Sequence, residues 1–321
     1  MSGNSGRSGA TQIEVAAEYD GQRLDNFLLR ELGKVPRSLV YRLLRKGEVR
    51  VNKGRKKPDY RLAAGDIVRL PPQQALDARR PAADAVSDSL RACLDNAVMF
   101  EDERLIALNK PAGVPVHAGS GIATGLIEAL RVMRGSASLE LVHRLDRGTS
   151  GCLLVARNRK RLLPLQDAFR QRLTSKVYLA LVQGQFPATT VTVTEPLRRF
   201  TLPNGERRVE VHPEGREACS HFRRLQQFGA CALVEVTIET GRTHQIRVHA
   251  AHLGHALIGD DKYGDRTALR RLNLSGPARL YLHAASLRLD CDPPVQLQAP
   301  PDSRWQQAMA TLAARTGNKP A

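Results

Sequence analysis

The sequence predicts an α+β protein of two domains, on three observations. A compact basic segment with helical periodicity fills much of the first quarter. A stretch rich in Pro, Ala, Arg and Asp follows it. From Val98 onward, short β-like apolar runs alternate with helical ones. At 321 residues, each part is long enough to bury a core of its own.

In chain order, the Gly/Ser-rich residues 1–12 read as a disordered leader and 13–70 as the small domain. Within it, Leu24, Phe27 and Leu28 share one helical face. Pro36 stands where a second helix should begin, Leu39, Val40, Leu43 and Leu44 form that helix's buried stripe, and Gly47 ends it. The alternation Glu48-Val49-Arg50-Val51 predicts a strand leading into a turn at Asn52-Lys53-Gly54. Residues 71–95 lack periodicity and read as a linker, and 96–315 form the larger domain. Its last helix, from Ser303 to Ala314, carries Trp305, Met309 and Leu312 on one face, and 316–321 read as a disordered tail.

Lysine and arginine outnumber acids by 49 to 32, a formal charge of +17, with an isoelectric point near 10.3. A phosphate-bearing partner leads, although a merely solvated basic surface has the same composition. The distribution sharpens this: Asp20 to Arg69 holds 14 Lys/Arg against 6 Asp/Glu, a net of +8. Helix and turn cations Arg37, Arg42, Arg45, Lys46, Arg50, Lys53, Arg55, Lys56 and Lys57 are the candidate nucleic-acid contacts. With almost no aromatics to stack bases, such a face suits phosphates of folded or duplex RNA. The order Arg23-Leu24-Asp25, Leu43-Leu44-Arg45-Lys46-Gly47, Val49-Arg50-Val51-Asn52 and Gly65-Asp66 resembles the S4 RNA-binding domain, which implies binding to structured RNA.

Five isolated cysteines, odd in number and without CxxC spacing, argue against a disulfide framework or a cysteine-based zinc site, and read as reduced and mostly buried. The start lacks a secretory apolar stretch and no run approaches the roughly 18 residues that span a bilayer, so we expect no membrane partner and a cytoplasmic location.

The chemistry-bearing segment is Leu141-Val142-His143-Arg144-Leu145-Asp146-Arg147-Gly148-Thr149-Ser150-Gly151, wedged between two β-like runs and so expected as a loop between strands. Taken alone, an Asp between two arginines, as Asp146 is, reads more often as a structural ion pair. The segment His143-Arg144-Leu145-Asp146 with Thr149-Ser150-Gly151 resembles the signature of the RNA pseudouridine synthases of the ribosomal large-subunit type. Four further segments fit that family in order: Leu108-Asn109-Lys110-Pro111-Ala112-Gly113 with Val116-His117; Lys176 to Val182; Thr240 to His249 with Gly259-Asp260-Asp261-Lys262-Tyr263-Gly264; and Leu282-His283-Ala284-Ala285.

The resemblance implies a catalytic domain on a mixed, mostly antiparallel sheet, with large-subunit (23S) ribosomal RNA as partner and no cofactor. It implies Asp146 as the catalytic carboxylate, Arg247 as the cation keeping it ionised, and Tyr178 stacking on the target base. Arg144 would fill the space of the extruded base and Ile246 would form an apolar wall, with His143 and His244 completing the substrate-binding set. From pattern alone, Arg247 falls on a strand, where an arginine is usually a solvated edge residue, and Tyr178 among aliphatics is usually core. A monomer is the default expectation.

Other chemistries are weaker. His249, His252 and His255 have helical spacing but no Cys or carboxylate completing a metal pattern. Gly148-Thr149-Ser150-Gly151 does not fit the hydrolase elbow GxSxG, and Gly119-Ser120-Gly121 lacks the lysine of a phosphate loop. The competing reading from another class is a noncatalytic RNA-binding ribosome-assembly factor, against which the retention of Asp146, Arg247 and Tyr178 argues.

Overall fold

A computed structural model describes residues 11–32, 35, 37–72, 86–118, 124–265, 267–274 and 276–316. The expected leader and tail, most of the expected linker, Pro36, and the Gly119 turn lie wholly or largely outside the described residues. Contacts divide the chain into two units, Met1–Arg91 with His117–Leu139, and Ala92–Val116 with Glu140–Ala321.

In the first unit, β1 (Thr11–Glu14), β2 (Arg50–Val51) and β3 (Ile67–Leu70) form an antiparallel sheet of order β1-β3-β2, accompanied by α1 (Leu24–Glu31) and α2 (Arg37–Lys46). Leu24, Phe27 and Leu28 join Leu39, Val40, Leu43 and Leu44 in one buried core, as their spacing required. Gly47 ends α2 at φ +70°, with Glu48 N–H donating to Leu43 O and Gly47 N–H to Leu44 O; this crossed pair satisfies two carbonyls that the helix end strands. The turn falls where the sequence put it: Val51 and Gly54 exchange backbone bonds around Asn52 (φ +49°) and Lys53 (φ +65°). Asn52 tolerates this conformation because its side chain donates to Asp66 Oδ1 at 2.7 Å and accepts from Ile67 N–H at 2.8 Å. Helix α3 (Asp88–Asp95) occupies the end of the stretch read as linker. Helix α4 (Leu126–Met133) also belongs to the first unit, and its Glu128 Oε2 accepts from Gly125 N–H at 3.2 Å.

The second unit is built on a ten-stranded sheet. Its strands are β4 (Val98–Glu101), β5 (Leu105–Lys110), β6 (Glu140–Leu141), β7 (Ser150–Ala156), β8 (Thr174–Gln183), β9 (Val191–Val193), then β12 (Ser220–Phe228), β13 (Cys231–Ile238), β14 (Leu282–Leu289) and β15 (Val295–Gln298). A separate hairpin comprises β10 (Leu197–Thr201) and β11 (Arg207–Val211). The main path runs β4-β5-β7-β14-β8-β13-β12-β9, with β6 on β7 and β15 on β14; only β7 and β14 pair in parallel. The sheet is therefore mixed and mostly antiparallel, as expected. At the parallel junction Gly151 (φ +106°) passes so close to β14 that a Cβ would stand 2.2 Å from Ala284 O, so no other residue fits there.

Helices α5 (Arg159–Arg170), α6 (Gln245–His252), α7 (Ala268–Arg271) and α8 (Ser303–Thr316) complete the unit. Trp305, Met309 and Leu312 of α8 share one core cluster with Tyr281 and Leu181. One expectation is corrected: Arg247 lies on helix α6, not on a strand. The alternation Ile246-Arg247-Val248-His249 imitates a strand, but both kinds of side chain are enclosed. Ile246 and Ala250 pack in one apolar cluster and Val248 in another, while the polar residues between find buried partners. His244, in the left-handed region at φ +54°, turns the chain into the helix.

No helix among the described residues is long and apolar enough to cross a membrane. All five cysteines are free; Cys152, Cys219 and Cys231 are buried, and Cys93 and Cys291 partly so.

Candidate active site

Asp146 sits, as expected, in the loop joining β6 to β7. The loop is braced from below. Lys110, fully buried, donates from Nζ to Pro111 O and Val114 O at 2.8 Å and to Arg147 O at 3.2 Å. Gly113 N–H donates to Arg147 O at 2.8 Å, Arg147 Nε donates back to Gly113 O at 3.0 Å, and Thr149 N–H closes a turn onto Asp146 O. Burial pushes the Lys110 amine down to about 7, and the Asp146 charge opposes that. In the sequence Lys110 is one member of a motif and no more; burial of its charge marks it as the floor of the loop.

The Asp146 side chain is 26% exposed. Arg247 Nη1 lies 3.8 Å and His244 Nε2 3.9 Å from its Oδ2. Both are too long for hydrogen bonds, so the cation holds the carboxylate by charge while leaving its lone pairs open to the cleft. The strong bonds of Arg247 go elsewhere: Nε and Nη2 each donate at 2.7 Å to the two oxygens of Asp260, whose side chain is 0% exposed. Burial works against the Arg247 charge, but the bonds and charge of Asp260 overcome it and raise its pKa. Asp260 is held below the usual carboxylate range because Arg247 and the N–H groups of Lys262 and Tyr263 outweigh its burial. Pinned in this way, the guanidinium cannot close down onto Asp146.

His244 Nδ1 and Tyr263 Oη are 2.7 Å apart, and Tyr263 Oη accepts from Val209 N–H at 2.9 Å. Burial lowers the His244 pKa despite the Asp146 charge, so the ring is neutral near pH 7. Tyr178, on β8, moves the other way: burial first, then Asp146, push its phenol up, so it stays protonated. A cavity of about 80 Å³ is lined by Arg144, Asp146, Tyr178, His244, Ile246 and Arg247, together with Thr149, Ile238, Arg242 and Leu282. Six of the seven expected catalytic and substrate-binding residues thus meet in one cleft, and Arg144 is exposed at its edge.

His143 does not join them. Its ring stacks on Phe169 at 5.1 Å, and Nε2 accepts from Leu154 N–H at 3.2 Å. Burial, then the Lys176 charge, push its pKa down to about 4, so it serves as a neutral anchor of the loop's entry. Asp260 and Tyr263 carry no role that the sequence alone reveals, although the segment Gly259 to Gly264 contains both; what gives Asp260 its role is a partner 13 residues away.

Of the expected RNA-contacting cations, Arg42, Arg45, Lys46, Arg50, Lys53, Arg55 and Lys57 are exposed and Lys56 is half-buried over the Tyr60 ring. The side chain of Arg37 lies outside the described residues. Among the late histidines, His249 Nδ1 pairs with Ser220 Oγ at 3.0 Å and His255 Nδ1 with Gln183 O at 2.8 Å.

Comparison with known proteins shows the family. The family model for RNA pseudouridylate synthase matches residues 104–252, and the S4 domain model matches 22–68. Ribosomal large subunit pseudouridine synthase C of Yersinia pestis is 45% identical over 304 residues, spanning 94% of this chain and 95% of that protein. The chain belongs to the RNA pseudouridine synthase family. The namesake enzyme of Escherichia coli K12 is 44% identical over 94% of this chain and 96% of its own. Two human structures, RNA pseudouridylate synthase domain containing 1 and 4, superpose with TM-scores of 0.55 and 0.58 at 25% and 26% identity. They cover 68% and 70% of this chain and 94% and 95% of theirs. As an RNA pseudouridine synthase the chain is an isomerase, and the S4-like segment supplies its RNA-binding module.

Proposed function

We propose that this synthase converts specific uridines of large-subunit (23S) ribosomal RNA to pseudouridine, acting as a cytoplasmic monomer with Asp146 as its catalytic carboxylate. The relatives that match nearly its whole length are named for the ribosomal large subunit, and the exposed cations of the S4 domain suit folded RNA. The observation that carries the mechanism is the Asp146–Arg247 pair at 3.8 Å, open to a cleft that also holds Tyr178 and Ile246.

The reaction breaks the bond from ribose C1′ to uracil N1, turns the uracil in place, and joins C1′ to C5, with the C5 proton lost, one proton gained at N1 and no redox change. Asp146 serves at the ribose as nucleophile at C1′, as stabiliser of positive charge there, or as base at the 2′ hydrogen; all three need it ionised. A carboxylate covered by RNA would be driven toward its neutral form, and Arg247 opposes that. Ile246 and Tyr178 bracket the base, and the protonated Tyr178 phenol offers a hydrogen bond to the detached uracil rather than a ready-formed base. Arg144, exposed at the rim, stacks into the vacancy the extruded uridine leaves. Sequencing-based mapping of pseudouridine in ribosomal RNA from cells carrying Asp146→Asn tests this: the modified positions should read as uridine, and unchanged modification overturns it.

A further inference from the structure

Among the described residues, one group outside the catalytic cleft has the chemistry of a metal site. Cys219, immediately before β12, and His221, its second residue, are two positions apart in extended chain, so their side chains lie on one side. Glu239 follows β13, and its N–H donates to Cys219 O at 3.2 Å, which sets it across from Cys219. We propose that Cys219, His221 and Glu239 bind one zinc ion, with water as the fourth ligand.

The distances suit it. Cys219 Sγ lies 3.5 Å from His221 Nε2, which lies 2.9 Å from Glu239 Oε1, and all three ligand atoms fall within 4.8 Å of one another. Tetrahedral zinc, with bonds of about 2.0–2.3 Å, separates neighbouring ligand atoms by ~3.3–3.7 Å, so small side-chain movements suffice. The imidazole is already oriented. Its Nδ1 lies 2.9 Å from Thr192 Oγ1, and donating there leaves the Nε2 lone pair for the metal, the support that metal-bound histidines typically have. A buried thiol supplies a soft ligand, while the His221 and Glu239 side chains, 32% and 54% exposed, leave an entry path and room for water. Zinc binding displaces the Cys219 thiol proton to solvent.

The site also has a place in the architecture. Gln245, first residue of α6, donates to Cys219 O at 2.8 Å and to Ser220 Oγ at 2.9 Å, and Thr240 Oγ1 accepts from Cys219 N–H at 3.1 Å. An ion here would brace the strand ends on which the Arg247 helix starts.

The test uses full-length protein stripped of metal, titrated with cobalt(II) and followed by absorption, with zinc affinity measured against a chromophoric chelator. One equivalent of cobalt should give a thiolate-to-metal charge-transfer band and tetrahedral visible bands, and zinc should raise Tm. Cys219→Ser should abolish the charge-transfer band, and with His221→Gln weaken zinc by more than the roughly 10- to 100-fold loss typical of an outer-shell change; Thr192→Val should fall within that range. Tm of the metal-free variants checks folding. Absence of stoichiometric binding by the wild type, or binding that survives both Cys219→Ser and His221→Gln, overturns the proposal and leaves a hydrogen-bonded cluster.

Discussion

Arg247 has three carboxylates around it and serves them differently, by bidentate bonds to Asp260, by one longer bond of 3.3 Å to Asp261 and by charge alone to Asp146. Arg247→Met therefore has two separable effects. It strands the Asp260 carboxylate without its cation, which should cost about 3–5 kcal/mol in denaturant unfolding, and it removes the cation 3.8 Å from Asp146, so under the proposed mechanism turnover should fall even where the fold is intact. Arg247→Lys keeps the charge but not the fork, and should recover part of the turnover but little of the stability. His143 makes the opposite case, a motif residue whose work is structural. Its folded pKa of about 4 lies below the 6.5 of the free side chain, so the unfolded chain takes up this proton first. Its contribution to stability is whole above about pH 6.5 and is lost as pH falls toward 4. Unfolding midpoints measured across that range should drop less steeply in His143→Gln. In the sequence, His143 and Asp146 stand three residues apart in one motif, and both are expected in one site. Stacking on Phe169, distant in the chain, separates them, and no local pattern encodes such a partner.

Elements with strong local signals were legible: α1 and α2 from their apolar stripes, the Gly47 stop, the Asn52-Lys53 turn, and α8 from its Trp305 face. Helix α6 was not, because a short helix enclosed on several sides has no polar face and its β-branched residues imitate a strand. The loop bearing Asp146 was legible as a loop, but its rigidity was not, since that comes from Lys110 and Gly113 more than 30 residues earlier. In the hairpin turn, Lys53 holds a conformation that costs a side-chain-bearing residue roughly 1 kcal/mol relative to glycine. Lys53→Gly should raise stability by about that amount in denaturant melts while weakening RNA affinity. A destabilised variant would mean the lysine makes folded-state interactions beyond its charge.

On the scale of the molecule, a net charge of +17 points to nucleic acid before any motif is considered, and the S4 surface shows one place where that charge is exposed. Replacing Arg42, Arg45 and Lys46 together by alanine should weaken binding to different folded RNAs alike and flatten the logarithmic salt dependence by about 0.7–0.9 for each phosphate no longer neutralised. An unchanged slope would place the RNA path elsewhere. The fold class and most of the cleft's membership, His143 excepted, were legible through the family resemblance of several separated motifs; the division of labour inside the cleft was not, because it depends on distances of tenths of an ångström. That division rests on Asp146, and the C5 hydrogen reports on it directly, since it leaves as C1′ joins C5. Purified wild-type and Asp146→Asn proteins should be incubated with large-subunit RNA carrying tritium at uridine C5. Asp146→Asn should bind this RNA yet release no tritium above background, and release at the wild-type rate would contradict the role proposed for Asp146.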